Sequence, residues 1–269
     1  MRKIRELKLQ TAYNLNSARG ISSDEIILCS GAKNTFCYGN NWRTSTKLFE
    51  TTIDGYYSKI LFKEVLNEYD RIGMLINLFS KTQAIKIRGS KFLGNVKNSK
   101  FLSRKNLPGC YIVIAPFASD PQRTWGIDKY VWLILEISKL TNVVVIGSKL
   151  EKKLIEKILN PSENIWFEFG TFSLSEIYTL VSFAKVFVGN DSGLSHIAIK
   201  TSIPLMILIG GGAFNRYFPI HHLENEQCYF YYYKLDCFSC EWKCHLDKRY
   251  CLTNIDKLEI LNKIKVLFL

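Results

Sequence analysis

The sequence predicts an α/β protein: a parallel sheet carrying helices on both faces, preceded by a less complete α/β part. Three observations support this. From Tyr111 onward, apolar runs of four or five residues alternate with helical segments, over roughly 160 residues in all. The runs are apolar throughout rather than at alternate positions, as expected of strands buried on both sides of a parallel sheet. Polar or glycine-containing turns separate the runs from the helices, the arrangement of a layered α/β domain.

Tyr111-Ile112-Val113-Ile114-Ala115 reads as the first of these strands, followed by a polar loop from Pro116 to Gly126. Asp128 is expected to cap a helix over Lys129 to Lys139. Asn142 to Ile146 forms a second strand ending at Gly147, with a helix over Glu151 to Leu159. Asn164 to Phe167 is the third strand. Ser173 caps the next helix, with Glu176 placed to complete a capping box. Lys185 to Val188 is the fourth strand, Leu194 to Lys200 its helix, and Leu205 to Leu208 the fifth strand. Ligands of such sheets sit at the carboxyl ends of the strands. The loops after Ala115, Ile146, Val188 and Leu208 should therefore gather along one edge.

The first part has weaker patterning. Glu25 to Cys29 is expected as a strand and Lys63 to Phe79 as an amphipathic helix, with no complete βαβαβ unit before Lys81. Leu258 to Phe268 is expected as a C-terminal helix. The organisation predicted is an incomplete domain over 1–105, a Rossmann-like ligand-binding domain over 106–255, and a terminal helix over 256–269.

A chain of 269 residues, 47% of them hydrophobic, can bury a substantial core. No apolar run approaches the roughly 20 residues that span a bilayer, and the start MRKIRELKLQ has no apolar signal region. A cytoplasmic location follows as the expectation. The net charge of +12 is lopsided. Residues 1–108 hold 19 Lys and Arg against 8 Asp and Glu, and residues 109–269 hold 17 against 16. Lys81 to Lys105 carries eight basic residues and no acidic one. That stretch is either a solvated linker or a surface drawn to a polyanion, such as an anionic membrane or a phosphorylated acceptor. Aromatic residues do not interleave with its charges, which argues against a nucleic-acid partner.

The chemistry concentrates in three turns. Gly189-Asn190-Asp191-Ser192-Gly193 opens a helix whose first N–H groups lack internal partners, a setting that suits a phosphate or diphosphate. Gly193 lets a ligand approach the backbone, Ser192 adds a hydroxyl, and His196 lies about one turn on. A capped turn with no ligand has the same local pattern. In the loop after the first strand, Ser119 offers a hydroxyl, Arg123 a guanidinium suited to phosphate, and Trp125 an anchor to the protein body. After the second strand, Glu151 either reaches a ribose or base, or is a solvated first-turn carboxylate. Gly210-Gly211-Gly212 reads as a flexible loop able to approach the same ligand. The Gly-x-Gly-x-x-Gly fingerprint follows no strand, so nicotinamide and flavin cofactors have little support.

PFASDPQRTW, followed about 70 residues later by GNDSGLSHIAIKTSIPLMILIGG, resembles the family 9 glycosyltransferases, the heptosyltransferases of bacterial lipopolysaccharide cores. Their nucleotide-sugar domain carries a Pro-Gly-Ala-Ser…Lys/Arg-x-Trp loop and a Gly-Asn-Asp-Ser/Thr-Gly-x-x-His turn. The likeness covers about 109–255 well. It extends more loosely over 12–80, through SARGISSDEIILCSGAKN and the segment Glu64 to Phe79. The resemblance implies a two-domain GT-B fold and inverting, metal-independent transfer of a sugar to a glycan hydroxyl, typically heptose from ADP-heptose. It places Asp191, Ser192, Gly193 and His196 around the diphosphate and sugar, with Arg123 on the diphosphate and Ser119 in the same loop. The donor is a substrate, and no cofactor is implied. The acceptor would be a phosphorylated, lipid-linked glycan, which fits peripheral contact with the inner membrane.

Family members usually begin with a strand entering a Gly-Asp-x-Leu-x-x-x-Pro turn that supplies the general base. No such turn is present here, so the expectation is an N-terminally truncated chain without an assigned base. The alternative to an active transferase is an inactive remnant that still binds a nucleotide sugar. Beyond the sheet, Cys237, Cys240, Cys244 and Cys251 fall within 15 residues. Free thiols, a structural zinc site and disulfides all remain open at this point.

Overall fold

The computed structural model describes residues 2–14, 21–38, 55–61, 67–68, 106–220 and 226–268. The chain divides into two compact units, Met1–Ala84 and Ile85–Leu269.

In the first unit, helix α1 (Arg2–Arg5) precedes β1 (Thr11–Asn14), α2 (Ile21–Leu28), β2 (Asn34–Tyr38) and β3 (Lys59–Leu61). The three strands form one parallel sheet in the order β1-β2-β3. The strand expected at Glu25 to Cys29 is instead the end of α2 and the turn after it. A short apolar run suits either structure, and here Asp24 goes to zero exposure beneath Tyr57 and Asn14. Its carboxylate accepts from the Tyr57 hydroxyl at 2.5 Å and from Asn14 Nδ2 at 2.8 Å. The expected helix from Lys63 to Phe79 and the basic stretch Lys81 to Lys105 lie largely or wholly outside the described residues.

The second unit is built on β4 (Tyr111–Ala115), α3 (Ile127–Ser138), β5 (Asn142–Gly147), α4 (Lys149–Ile155), β6 (Ile165–Phe169), α5 (Leu174–Phe183), β7 (Phe187–Asn190), α6 (Gly193–Ala198), β8 (Leu205–Leu208), β9 (Cys228–Tyr231), α7 (Tyr250–Thr253) and α8 (Lys257–Phe268). Six strands pair in the order β6-β5-β4-β7-β8-β9, every pair parallel. β4, β7 and β8 are buried along their whole length, which accounts for their uninterrupted apolar sequences.

Several boundaries move for identifiable reasons. α3 starts at Ile127 because Gly126, at φ 124°, makes the bend that admits it, so Asp128 is a first-turn residue rather than the cap. α4 starts at Lys149 because Ser148 is its N-cap. The capping box at Ser173 and Glu176 forms as the spacing predicts. β9 lies beyond the five strands that the apolar pattern predicts: its Cys-Tyr-Phe-Tyr run becomes a strand by pairing with β8. The terminal helix belongs to the second unit, because Ile260, Leu261 and Ile264 share its core with Leu133, Ile134 and Ile137 of α3. Among the described residues, no helix is long and apolar enough to cross a membrane.

Candidate functional site

The strand order determines where a site can form. From β4 the chain proceeds outward through β5 to β6, and from β7 it proceeds the other way through β8 to β9. β4 and β7 therefore flank the point where the winding reverses, and the loops leaving their carboxyl ends diverge to leave a crevice. Ala115 and Gly189 are partners at that end of the pair. The two turns singled out by their chemistry are the two that leave this point.

The β4 loop is shaped by its own residues. Asp120 accepts the Gln122 N–H at 2.9 Å and caps a single 3₁₀ turn, Pro121–Arg123. Trp125 then turns into the core at zero exposure, donates its indole N–H to the Ile255 carbonyl at 3.1 Å, and meets the Tyr130 ring edge-on at 5.2 Å. Trp125 is thus the anchor the sequence suggested.

Asn190, the last residue of β7 and fully buried, ties the two loops together. Its side-chain oxygen accepts the Trp125 backbone N–H at 3.1 Å and the Tyr130 hydroxyl at 2.9 Å, while its amide donates to the Pro116 carbonyl at 2.9 Å. Ser195 Oγ reaches back to the Asn190 carbonyl. The sequence marked Asn190 only as part of a turn. Its role as a clamp depends on three partners distant in sequence.

Asp191 is 2% exposed and lies 4.0 Å from His196 Nε2. Burial raises its pKa, opposed by the nearby charges of Arg123 and Arg216. Burial first, then Lys200 and Arg123, push the His196 imidazole down to about 4, so it is neutral near pH 7. Phe218 stacks on that ring at 4.4 Å, and Tyr217 meets it edge-on at 6.0 Å.

Ser192 is the N-cap of α6, yet its side chain makes no capping bond. Its hydroxyl is buried without a partner, and so is Arg123 Nε. Buried polar atoms normally find partners. Two such donors, one in each of the loops that leave the switch point, thus have unused hydrogen-bonding capacity. Gly193 is open, since a Cβ built there would meet no atom within 4 Å.

The remaining candidates are placed differently. Ser119 is exposed in the β4 loop. Glu151 Oε2 accepts the Ser148 N–H at 2.6 Å as half of a capping box, which gives that oxygen a structural task at the end of β5. The Gly210–Gly212 segment is not an open flexible loop. Gly211 is covered by Phe238, and Gly212 by the Trp242 ring. All eight cysteines are free. Among the described residues, no three His, Cys, Asp or Glu side chains form a group that could hold a metal ion. Sequence reasoning overlooked Asn190, Tyr130 and Trp242 as contributors. Only Trp242 had a usable signal, its place beside the cysteines.

The family model for glycosyltransferase family 9 (heptosyltransferase) matches residues 59–244, well over half of the chain. The chain belongs to glycosyltransferase family 9. No curated protein matches the sequence at a significant level. Among solved structures, E. coli ADP-heptose LPS heptosyltransferase II is similar at 19% identity and TM-score 0.67, covering 99% of this chain and 78% of that one. A family 9 glycosyltransferase from Veillonella parvula is similar at 16% identity and TM-score 0.68, covering 99% and 77%. E. coli heptosyltransferase WaaC with ADP is similar at 13% identity and TM-score 0.61, covering 97% and 75%. These likenesses establish the GT-B fold for this family 9 member, with its parallel sheets.

Proposed function

We propose that this glycosyltransferase moves heptose from ADP-heptose to a hydroxyl of a lipopolysaccharide core or related surface glycan, with inversion and without a metal ion. The observation that carries the reading is the pair of buried, unpartnered donors, Arg123 Nε and Ser192 Oγ, on the two switch-point loops. A diphosphate leaving group gains one negative charge, on its terminal phosphate, as the bond from the sugar to that phosphate breaks. A guanidinium and a fixed hydroxyl held in a low-dielectric crevice stabilise that charge at the moment it develops. Arg123 can do this bidentately, so protein groups stabilise the charge that develops on the leaving group.

In this reading Asp191, Ser192, Gly193 and His196 surround the diphosphate and sugar, Arg123 binds the diphosphate, and Ser119 and Glu151 border the same edge. A neutral His196 can accept or donate one hydrogen bond to the sugar without competing for the phosphate charge. Deprotonation of the acceptor hydroxyl falls to a base outside this donor-side group. The ADP preference draws on WaaC, which has been solved with ADP and with ADP-2-deoxy-2-fluoro heptose. The basic stretch Lys81 to Lys105 would hold the enzyme at the anionic cytoplasmic face of the inner membrane, beside a lipid-linked acceptor.

Calorimetric titration with ADP and UDP tests the donor site. ADP should bind more tightly than UDP, and Asp191→Ala or His196→Ala should weaken it. Equal binding by wild type and both variants would show that the site is misplaced. Transfer of labelled heptose to a heptose-free lipopolysaccharide core separates an active transferase from a chain that only binds the donor.

A further inference from the structure

The cysteine-rich segment is the one motif that the donor-site reading leaves without a purpose. It is fastened to the glycine turn after β8 by backbone bonds, from Ser239 N–H to the Gly211 carbonyl at 2.7 Å and from Glu241 N–H to the Gly212 carbonyl at 2.9 Å. These ties hold an unusual backbone. Ser239, Glu241 and Trp242 all have positive φ, at 67°, 52° and 63°. Left-handed geometry is uncommon for a non-glycine residue and costly for a bulky one. Such strain persists only where the surroundings enforce it, and it concentrates at ligand-binding sites.

The strained backbone serves to seat Trp242. Its ring lies flat over Gly212, where a Cβ would come within 2.2 Å of Cδ2, and its benzo edge faces Gly210, where a Cβ would come within 2.6 Å of Cη2. The pyrrole edge, which carries the N–H, therefore faces away from Gly210. The Arg123 guanidinium lies over the same ring, 5.9 Å from its centroid. Trp242 Nε1 is buried and has no hydrogen-bond partner, as is true of Arg123 Nε.

We propose that Trp242 is a donor-binding residue, its indole N–H bonding a phosphate oxygen of the nucleotide diphosphate next to Arg123. The cysteine-rich segment is then the third wall of the donor site, and its strained turn exists to present that N–H. This rests on the reading that a nucleoside diphosphate occupies the switch-point crevice. The ring beneath Arg123 attracts the guanidinium, while the N–H supplies a directed bond that a cation alone does not.

The test is titration of the full chain with ADP and UDP. Wild type, Arg123→Ala, Trp242→Phe and a protein with benzothienylalanine in place of Trp242 are compared, each with its melting temperature recorded. Benzothienylalanine keeps the bicyclic ring and removes only the N–H. Both Trp242 replacements should bind the preferred nucleotide about tenfold more weakly, the loss expected for one hydrogen bond to a charged group, and benzothienylalanine should leave the melting temperature unchanged. Wild-type affinity in the benzothienylalanine protein would overturn the proposal, including where Phe alone weakens binding through lost ring area. A weaker Arg123→Ala in that same experiment would leave the donor-site reading intact. No binding of either nucleotide to wild type would overturn both.

Discussion

Asn190 holds Trp125 across the switch point, its side-chain oxygen accepting the Trp125 backbone N–H at 3.1 Å while both residues are fully buried. A residue at the end of β7 thus determines the path of the loop leaving β4. The arrangement is rigid because the same side chain also engages Tyr130 and Pro116, so no single rotation can relieve the loss of one partner.

Asn190→Ala should therefore strand the Trp125 N–H, the Tyr130 hydroxyl and the Pro116 carbonyl together. At about 1–3 kcal/mol for a buried group left unsatisfied, the total loss should reach about 3 kcal/mol or more. Urea denaturation measures it. A loss under about 1 kcal/mol would mean that water replaces the clamp.

Arg123 should show the opposite balance. Its Nε has no hydrogen-bond partner to lose, and it gives up only its place over the Trp242 ring and its charge beside Asp191, so Arg123→Met should lower the melting temperature less than Asn190→Ala does. ADP binding should weaken by on the order of 10- to 100-fold, the value of a charge-assisted bond to phosphate. Isothermal calorimetry at fixed ionic strength decides this, since screening alone shifts the affinity. An unchanged affinity would remove Arg123 from the site.

His196 makes folding depend on pH. Its imidazole is held down at about 4 against an ordinary 6.5. Between those values the unfolded chain binds a proton that the native protein refuses, so stability falls as pH drops through that window, by at most about 3 kcal/mol. Asp191, raised from 3.8 by burial, contributes the opposite slope at the lower end of the range. The informative measurement is thus the difference between wild type and His196→Asn. The variant should lose the acid-side decline, and parallel curves would show that His196 is not held neutral.

Gly212→Ala tests the seat of Trp242. The added methyl would lie 2.2 Å from Cδ2 and 2.5 Å from Cε2 of the indole, so the ring must shift. Overpacking of this kind costs about 1–3 kcal/mol. Thermal melting should register it, and tryptophan fluorescence should report the moved ring. A variant that melts like wild type would indicate that the cysteine-rich segment yields easily.

The sequence by itself was enough for the first five strands of the large sheet. Tyr111 to Ala115 and Leu205 to Leu208 are apolar at every position, and only burial on both faces explains that pattern. Ser173 with Glu176 likewise announced a helix start, because a capping box uses only neighbours in the chain. The motifs around Arg123 and Asp191 were legible for a similar reason: a loop's chemistry is written in its own residues. Tertiary structure decided what depends on distant partners. Glu25 to Cys29 became helix and loop because Asp24 had Tyr57 and Asn14 to satisfy it. Cys228 to Tyr231 became a strand because β8 offered an edge. The sequence could place two loops on one edge of the sheet, but only the strand order put them side by side at the switch point. It could also show that Asn190 is polar. That its three bonds reach partners 60 to 74 positions away, and that Ser192, Arg123 and Trp242 keep donors free, follows from contacts that no local pattern encodes.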